Sequence, residues 1–192
     1  MMTTANKVTL LRILLIPPFL YCMLEHRVTG HESLRWAGLF IFALAAAMDG
    51  VDGFIARRFN QRSELGAVLD PLADKLLLVS AVVVLSLPQP HLTPLPRWFA
   101  LAVLSRDVLA VIGLAVVHFM VGRVLIRPRW TGKTATVLQM ATLTWTMLRW
   151  PASVQAWLAA GAAVLTLVSG IQYGWDGMRH AGSGGPGGPG RA

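Results

Sequence analysis

Apolar residues occupy about six long stretches of the chain, separated by short polar segments. The stretches cover roughly residues 8–25, 35–57, 66–87, 97–121, 133–149 and 152–174. Most approach the length of about 20 residues that a helix needs to cross the hydrocarbon core of a bilayer. A soluble helical bundle would carry charged outer faces, which these stretches lack. The pattern therefore predicts an all-α integral membrane protein with about six transmembrane helices.

Composition supports a membrane setting. Of the 192 residues, 55% are hydrophobic and only 14% are charged, whereas about 25% of residues are charged in a soluble domain. We expect one membrane domain over residues 1–180 and a disordered Gly/Pro-rich tail over residues 181–192.

Six helices that cross a membrane in alternating directions place their connecting segments on its two sides. Basic residues are distributed unevenly between these two sides. With a cytoplasmic N-terminus, 11 lysines and arginines fall on the cytoplasmic side, and 4 fall outside, namely Arg27, Arg35, Arg97 and Arg149. The positive-inside rule then predicts a protein of the cell (inner) membrane with both termini and the active site cytoplasmic. The net charge of +8 arises mostly from this bias, so it does not indicate nucleic-acid binding.

Four aspartates fall within one stretch, DGVDGFIARRFNQRSELGAVLDPLADK, at residues 49–75. Helical spacing near the end of the second helix places on one stripe Asp49, Asp52, Gly53, Ala56 and Arg57. The corresponding stripe of the third helix consists of Gly66, Asp70 and Asp74. Because the link between the two helices is short, we expect them to be antiparallel neighbours with facing acidic stripes.

Carboxylates held face to face repel one another and take up protons unless a cation is present. An all-oxygen set without His or Cys selects a hard ion such as Mg²⁺. Four carboxylates can hold two ions about 3.5–4 Å apart, the spacing that clamps a transferring phosphoryl group. Gly53, Ala56 and Gly66 leave room for a large ligand, and Arg57 offers a planar cation to a phosphate oxygen. Because each intramembrane carboxylate costs a few kcal/mol, function explains four of them better than packing does.

The spacing D-x2-D-G-x2-A-R-x8-G-x3-D-x3-D resembles the signature of the CDP-alcohol phosphatidyltransferases, and all eight fixed positions match. The opening NKVTLLRILLIP is also similar to the start of that family.

The resemblance implies that a CDP-linked lipid binds with its diphosphate on the metals, that an alcohol attacks the lipid-side phosphorus, and that CMP leaves. It implies that the metal ligands are Asp49, Asp52, Asp70 and Asp74, with Asp74 also the general base. It implies that the cytidine diphosphate is bound by Asp49, Asp52, Gly53, Ala56, Arg57 and Gly66. Two Mg²⁺ ions, with Mn²⁺ as an alternative, and a homodimer are expected on the same ground.

The sequence indicates the binding site of the acceptor alcohol less specifically than the aspartate motif. Arg106 and Asp107 lie inside the fourth apolar stretch, and neighbours at i, i+1 point apart on a helix, so we expect no close pair between them. Arg106 is then expected to bind an anionic ligand, while Asp107 orients a basic neighbour. Lys133 lies at the start of the fifth helix, where free backbone amides help to hold phosphate. By resemblance, both basic residues fall in segments that line the acceptor pocket of the phosphatidylglycerol-phosphate and cardiolipin branches.

We therefore predict transfer of the phosphatidyl group from CDP-diacylglycerol to sn-glycerol 3-phosphate, with membrane lipid around the protein and no nucleic-acid partner. The alternative is cardiolipin synthesis with phosphatidylglycerol as acceptor, because SRDV at residues 105–108 is closer to that branch. A different class, an ion or proton transporter, would carry inverted repeats. The acidic cluster occurs only in the first half of the chain, which argues against a transporter.

Overall fold

The computed structural model describes the backbone of residues 4–59, 64–121 and 130–182, and the side chains of residues 8–48, 72–112 and 132–170. This part of the chain contains six helices and no strand. They are α1 (Thr4–Thr29), α2 (Glu32–Phe59), α3 (Glu64–Ser86), α4 (Arg97–Val121), α5 (Trp130–Met147) and α6 (Ala152–Gly182). The predicted six helices are confirmed. The last ten residues of the predicted tail, 183–192, lie outside the described residues.

The chain divides into two compact units. The first comprises Met1–Pro96 and Met140–Gln155, and the second comprises Arg97–Gln139 and Ala156–Ala192. The first unit therefore contains α1, α2, α3, the second half of α5 and the start of α6, and the second contains α4, the first half of α5 and most of α6. The single domain expected over residues 1–180 stays a prediction.

The first unit is built around α1, which packs against both α2 and α3. The buried face of α1 recurs at helical spacing and consists of Thr9, Arg12, Ile16, Phe19, Met23 and His26. Phe19 meets Phe42 of α2 with ring centroids 5.8 Å apart. The buried residues of α3 are apolar and include Ala73, Leu77, Ala81 and Leu85. The core of this unit is therefore apolar along the middle of α1 and polar near its start.

Two glycines permit the tight α1–α2 hairpin. Gly30 adopts a φ of +72° between the helices, and its amide donates a hydrogen bond to the His26 carbonyl at 2.8 Å, which ends α1. Gly38 lies where α2 crosses α1, and a Cβ there would overlap the terminal methyl group of Met23. A side chain at Gly30 would strain the turn because of its positive φ, and one at Gly38 would require the Met23 side chain to move.

Four arginines were predicted on the side opposite the cytoplasm, and three of them make contacts within the first unit. Arg27 Nε donates to the Pro88 carbonyl at 2.8 Å. Buried Arg35 donates through Nη1 to the Met147 carbonyl at 2.7 Å and through Nε to Glu32 Oε2 at 2.9 Å. Arg149 also pairs with Glu32. The hydrogen bond from Arg35 and the charges of both arginines lower the pKa of Glu32, so α2 and the α5–α6 turn are joined by an ionised carboxylate.

Large apolar side chains lie on the outside of all six helices. The most exposed of each helix are Val28, Phe40, Leu72, Leu101, Val137 and Trp157. Polar residues such as Arg12, Arg35, Gln139 and Thr166 are buried instead. Soluble proteins rarely expose apolar surface so extensively, whereas lipid-facing helices do. Among the described residues, the two stretches with the length and mean hydropathy of a membrane span are Val8–Thr29 and Ala152–Gly170.

Candidate functional site

The aspartate motif lies on two consecutive helices of the first unit. Asp49, Asp52, Gly53, Ala56 and Arg57 belong to the last third of α2, and Gly66, Asp70 and Asp74 belong to the first half of α3. Except for Asp74, the side chains of these residues lie outside the described residues. Whether the two acidic stripes face each other therefore stays a prediction, while the helical positions of all eight residues are as expected.

The aspartates occupy similar positions relative to the described ends of α2 and α3. Asp49 lies ten residues before Phe59, the last described residue of α2, and Asp74 lies ten residues after Glu64, the first described residue of α3. Asp52 and Asp70 lie seven and six residues from the same two residues. Helices joined by a short link usually run antiparallel, and that arrangement would bring the aspartates of the two helices to similar depths. The arrangement stays a prediction, because residues 60–63 lie outside the described residues.

Arg12 of α1 and Asp49 of α2 lie at equal separations from the turn between these two helices. Arg12 lies 17 residues before the last residue of α1, and Asp49 lies 17 residues after the first residue of α2. Only 1% of Arg12 is exposed, and Thr9, one turn earlier on the same face, is fully buried. Arg12 is one of the 11 basic residues predicted on the cytoplasmic side. Its burial shows that α1 presents a polar face to the interior of the first unit.

Asp74 is half-buried and marks a boundary along α3. Its neighbour Ala73 is fully buried, and the next buried residues, Leu77 and Leu78, are apolar. On α1 the same change occurs between Arg12 and Ile16. The buried residues that follow these positions on α1 and α3 are therefore apolar, until His26 near the end of α1.

The carboxylate set suits a hard divalent cation. The four motif aspartates lie on two consecutive helices, with no His or Cys within the motif, and such oxygen donors favour Mg²⁺ or Ca²⁺ over softer metals. Among the residues with described side chains, no group of three His, Cys, Asp or Glu could hold a metal ion. Three of the four candidate ligands, Asp49, Asp52 and Asp70, lie outside that set.

Arg106 lies in the second unit and forms an ion pair with Asp107, with Nη1 and Oδ1 2.8 Å apart. The expectation that these i, i+1 neighbours stay apart is wrong. The flexible arginine side chain curls back, so the direction of its Cβ does not decide where the guanidinium lies. Arg106 Nη2 also donates to Ser169 Oγ of α6 at 3.2 Å. Asp107 and Ser169 thus hold a largely buried guanidinium in place.

A second polar pair joins α5 to α6 in the same unit. Gln139 Nε2 donates to Thr166 Oγ1 at 2.8 Å, and both residues are buried. No sequence pattern had indicated Gln139, Thr166 or Ser169. The sequence could have indicated these residues, because a polar side chain inside an apolar membrane helix costs free energy unless it binds something.

Lys133 is exposed and lies in the first turn of α5, which begins at Trp130. Whether the helix starts there stays a prediction, because residues 122–129 lie outside the described residues. It belongs to the second unit with Arg106, whereas the aspartates belong to the first.

Comparison with known proteins agrees with the motif. A sequence profile described as CDP-alcohol phosphatidyltransferase matches residues 2–168. A probable phosphatidylglycerophosphate synthase of Mycobacterium tuberculosis is 35% identical over 173 residues, covering 88% of this chain and 78% of the relative. The CDP-diacylglycerol–glycerol-3-phosphate 3-phosphatidyltransferase of Bacillus subtilis is 33% identical over 199 residues, covering 93% and 98%. The protein of the same name from Salmonella typhimurium is 35% identical over 178 residues, covering 86% and 89%.

Members of the matched family are membrane-embedded and use divalent metal ions. The profile covers most of the chain, and the relatives are similar over most of their own lengths. The eight motif residues and these matches together show that the chain belongs to the CDP-alcohol phosphatidyltransferase family.

Proposed function

We propose that this protein transfers the phosphatidyl group of CDP-diacylglycerol to sn-glycerol 3-phosphate and releases CMP. The observation that carries the proposal is the complete aspartate motif on the consecutive helices α2 and α3. The relatives named for this reaction support it, because they are 33–35% identical over most of both chains.

The donor is proposed to bind in the first unit. Asp49, Asp52, Asp70 and Asp74 would hold two Mg²⁺ ions, or Mn²⁺ in their place. The bound metal would neutralise the diphosphate and stabilise CMP as a leaving group. The cytidine diphosphate would be bound by Asp49, Asp52, Gly53, Ala56, Arg57 and Gly66. Gly53, Ala56 and Gly66 have little or no side chain to keep such a ligand from the backbone.

Asp74 is proposed to take the proton of the attacking alcohol. The hydroxyl oxygen forms a bond to the lipid-side phosphorus as its proton passes to the Asp74 carboxylate, and the bond from that phosphorus to the CMP oxygen breaks. An alcohol is a poor nucleophile near neutral pH, so a positioned base is required. Asp74 adjoins the apolar core of the first unit, which suits it to meet an alcohol beside a lipid.

The acceptor phosphate is proposed to bind Arg106 and Lys133 in the second unit. Arg106 is held by Asp107 and Ser169, so little conformational freedom is lost when it meets an anion. A fixed planar guanidinium suits a phosphate better than it suits choline or ethanolamine, whose cations it would repel.

The membrane arrangement is proposed to comprise six spans with both termini and the active site on the cytoplasmic side of the cell (inner) membrane. The exposed apolar side chains on all six helices support this number of spans. The excess of basic residues on one side supports the orientation. A homodimer, expected from the family resemblance, belongs to the same proposal.

Heat protection tests the donor site. We expect Mg²⁺ and CDP-diacylglycerol together to raise the Tm of the detergent-solubilised protein by about 5 °C or more, because a ligand at 100 times its Kd adds about 2.7 kcal/mol. Neither component alone should do so, and EDTA should reverse the shift. The measurement is thermal unfolding with each combination.

Phosphatidic acid, which lacks the cytidine diphosphate, is the matched control ligand. Asp49→Asn should lose the protection, and Glu25→Gln, which changes an acid at the far end of α1, should keep it. Equal protection by phosphatidic acid, or full protection in EDTA, would contradict a metal-dependent diphosphate site.

A further inference from the structure

The orientation of the Gln139 amide is determined by its partner on α6. Gln139 Nε2 donates to Thr166 Oγ1 at 2.8 Å. The Thr166 hydroxyl donates its one proton to the Ala162 carbonyl at 2.6 Å, so its oxygen can only accept from Gln139. The NH₂ group of Gln139 must therefore face Thr166, and its carbonyl oxygen Oε1 points elsewhere.

Gln139 Oε1 is a buried acceptor without a donor. The residue is 2% exposed, and Oε1 receives no hydrogen bond within the part of the chain that the structure describes. A buried polar atom left without a hydrogen bond destabilises the fold. In a membrane helix such a cost points to a ligand that supplies the missing donor.

Gln139 and Arg106 reach neighbouring positions of the same helix. Gln139 bonds Thr166, and Arg106 bonds Ser169 one turn later on α6. Side chains three residues apart on a helix lie about 5–6 Å apart at Cβ. The second unit therefore brings a fixed cation and a hydrogen-bond acceptor close together, from α4 and α5, on one face of α6.

We infer that Gln139 Oε1 accepts a hydrogen bond from the non-reacting hydroxyl of the acceptor alcohol while Arg106 binds that molecule's phosphate. An ammonium group would also offer a proton to Oε1, but the nearby guanidinium would repel it. A neutral hydroxyl one carbon from a phosphate ester satisfies both groups, and glycerol 3-phosphate carries one at its middle carbon. Gln139 is thus a specificity-determining residue, an inference that rests on the proposed use of a phosphate-bearing acceptor.

The test compares two acceptors, glycerol 3-phosphate and 3-hydroxypropyl phosphate, which keeps the phosphate and the reacting hydroxyl but lacks the middle hydroxyl. With the full-length protein, CDP-diacylglycerol and Mg²⁺, we expect wild-type kcat/KM to favour glycerol 3-phosphate by about tenfold, the value of one neutral hydrogen bond. In Gln139→Leu the ratio should fall to about one. The ratio is taken within each variant, so losses of folded protein cancel.

Gln155→Leu is the matched control. Gln155 makes the same kind of bond in the first unit, with Nε2 donating to Thr146 Oγ1 at 3.0 Å, and its loss should leave the acceptor ratio at the wild-type value. Where Gln139→Leu does not fold, Gln139→Met supplies an unbranched apolar side chain of similar length. A wild-type ratio in either Gln139 variant would overturn the inference and assign Oε1 to a bound water.

Failure of the inference about Gln139 can be distinguished from failure of the proposed function. Equal use of both phosphates by the wild-type protein would overturn the role of Gln139 but leave the proposed function standing. Release of CMP with neither phosphate would overturn both the proposed acceptor and the inference that depends on it.

Discussion

Replacing Asp74 by asparagine is expected to lower kcat by at least about 1,000-fold, because the variant can no longer accept the proton of the attacking hydroxyl and a general base contributes about 10²–10⁴-fold. Asparagine preserves the size of the side chain and an oxygen atom, so the half-buried position should tolerate it. The measurement is CMP release at saturating CDP-diacylglycerol and glycerol 3-phosphate, together with the Tm of the variant.

Two controls separate the base from a metal ligand or a structural residue. Ser86→Ala alters the far end of α3, where the hydroxyl bonds only the Val82 carbonyl at 2.6 Å, and should turn over like the wild type. Raising the Mg²⁺ concentration should not rescue Asp74→Asn. Full recovery at high Mg²⁺ would make Asp74 a ligand only, and an unchanged kcat would remove it from the reaction.

Replacing Arg106 by methionine is expected to raise the KM for glycerol 3-phosphate about 10- to 100-fold, because a charge-assisted hydrogen bond to phosphate contributes about 1.5–3 kcal/mol. The KM for CDP-diacylglycerol should not change, since the donor is assigned to the aspartates of the first unit. The measurement is initial rate against the concentration of each substrate in turn.

Companion variants test how Arg106 is held. Arg106→Lys should not restore the KM, because an ammonium cannot reproduce the planar contacts to Asp107 and Ser169. Ser169→Ala, which removes one bond to the guanidinium, should raise the same KM by a smaller factor. Arg149→Met, an exposed arginine of the first unit, should leave it unaltered. An unchanged KM in Arg106→Met would show that the acceptor phosphate binds elsewhere.

The six helices could be predicted because the sequence itself displays long apolar stretches separated by short polar segments. The ends of the helices could not be predicted, because a helix can continue past the apolar stretch. α6 extends to Gly182, beyond a predicted end near residue 174. The motif positions were also predictable, because i, i+3 and i, i+4 spacing fixes a helix face.

Contacts between helices distant in sequence were not predictable. The bond between Gln139 and Thr166 spans 27 residues and depends on the register of α5 against α6, for which one sequence holds no signal. The burial of Arg12 was not predictable either, because the sequence shows its charge and its place on α1 but not how α1 packs. Arg106 was misread because the rule for i, i+1 neighbours describes Cβ directions, whereas a long side chain bends.

The most direct test of the proposed reaction is release of labelled CMP from CDP-diacylglycerol by the purified protein with Mg²⁺, comparing glycerol 3-phosphate with phosphatidylglycerol as acceptor. We expect release with glycerol 3-phosphate, in amounts equal to the phosphatidylglycerol phosphate formed, and none in EDTA. Release with phosphatidylglycerol alone would contradict the proposed acceptor and make the protein a cardiolipin synthase. Release with neither would contradict phosphatidyl transfer to both acceptors.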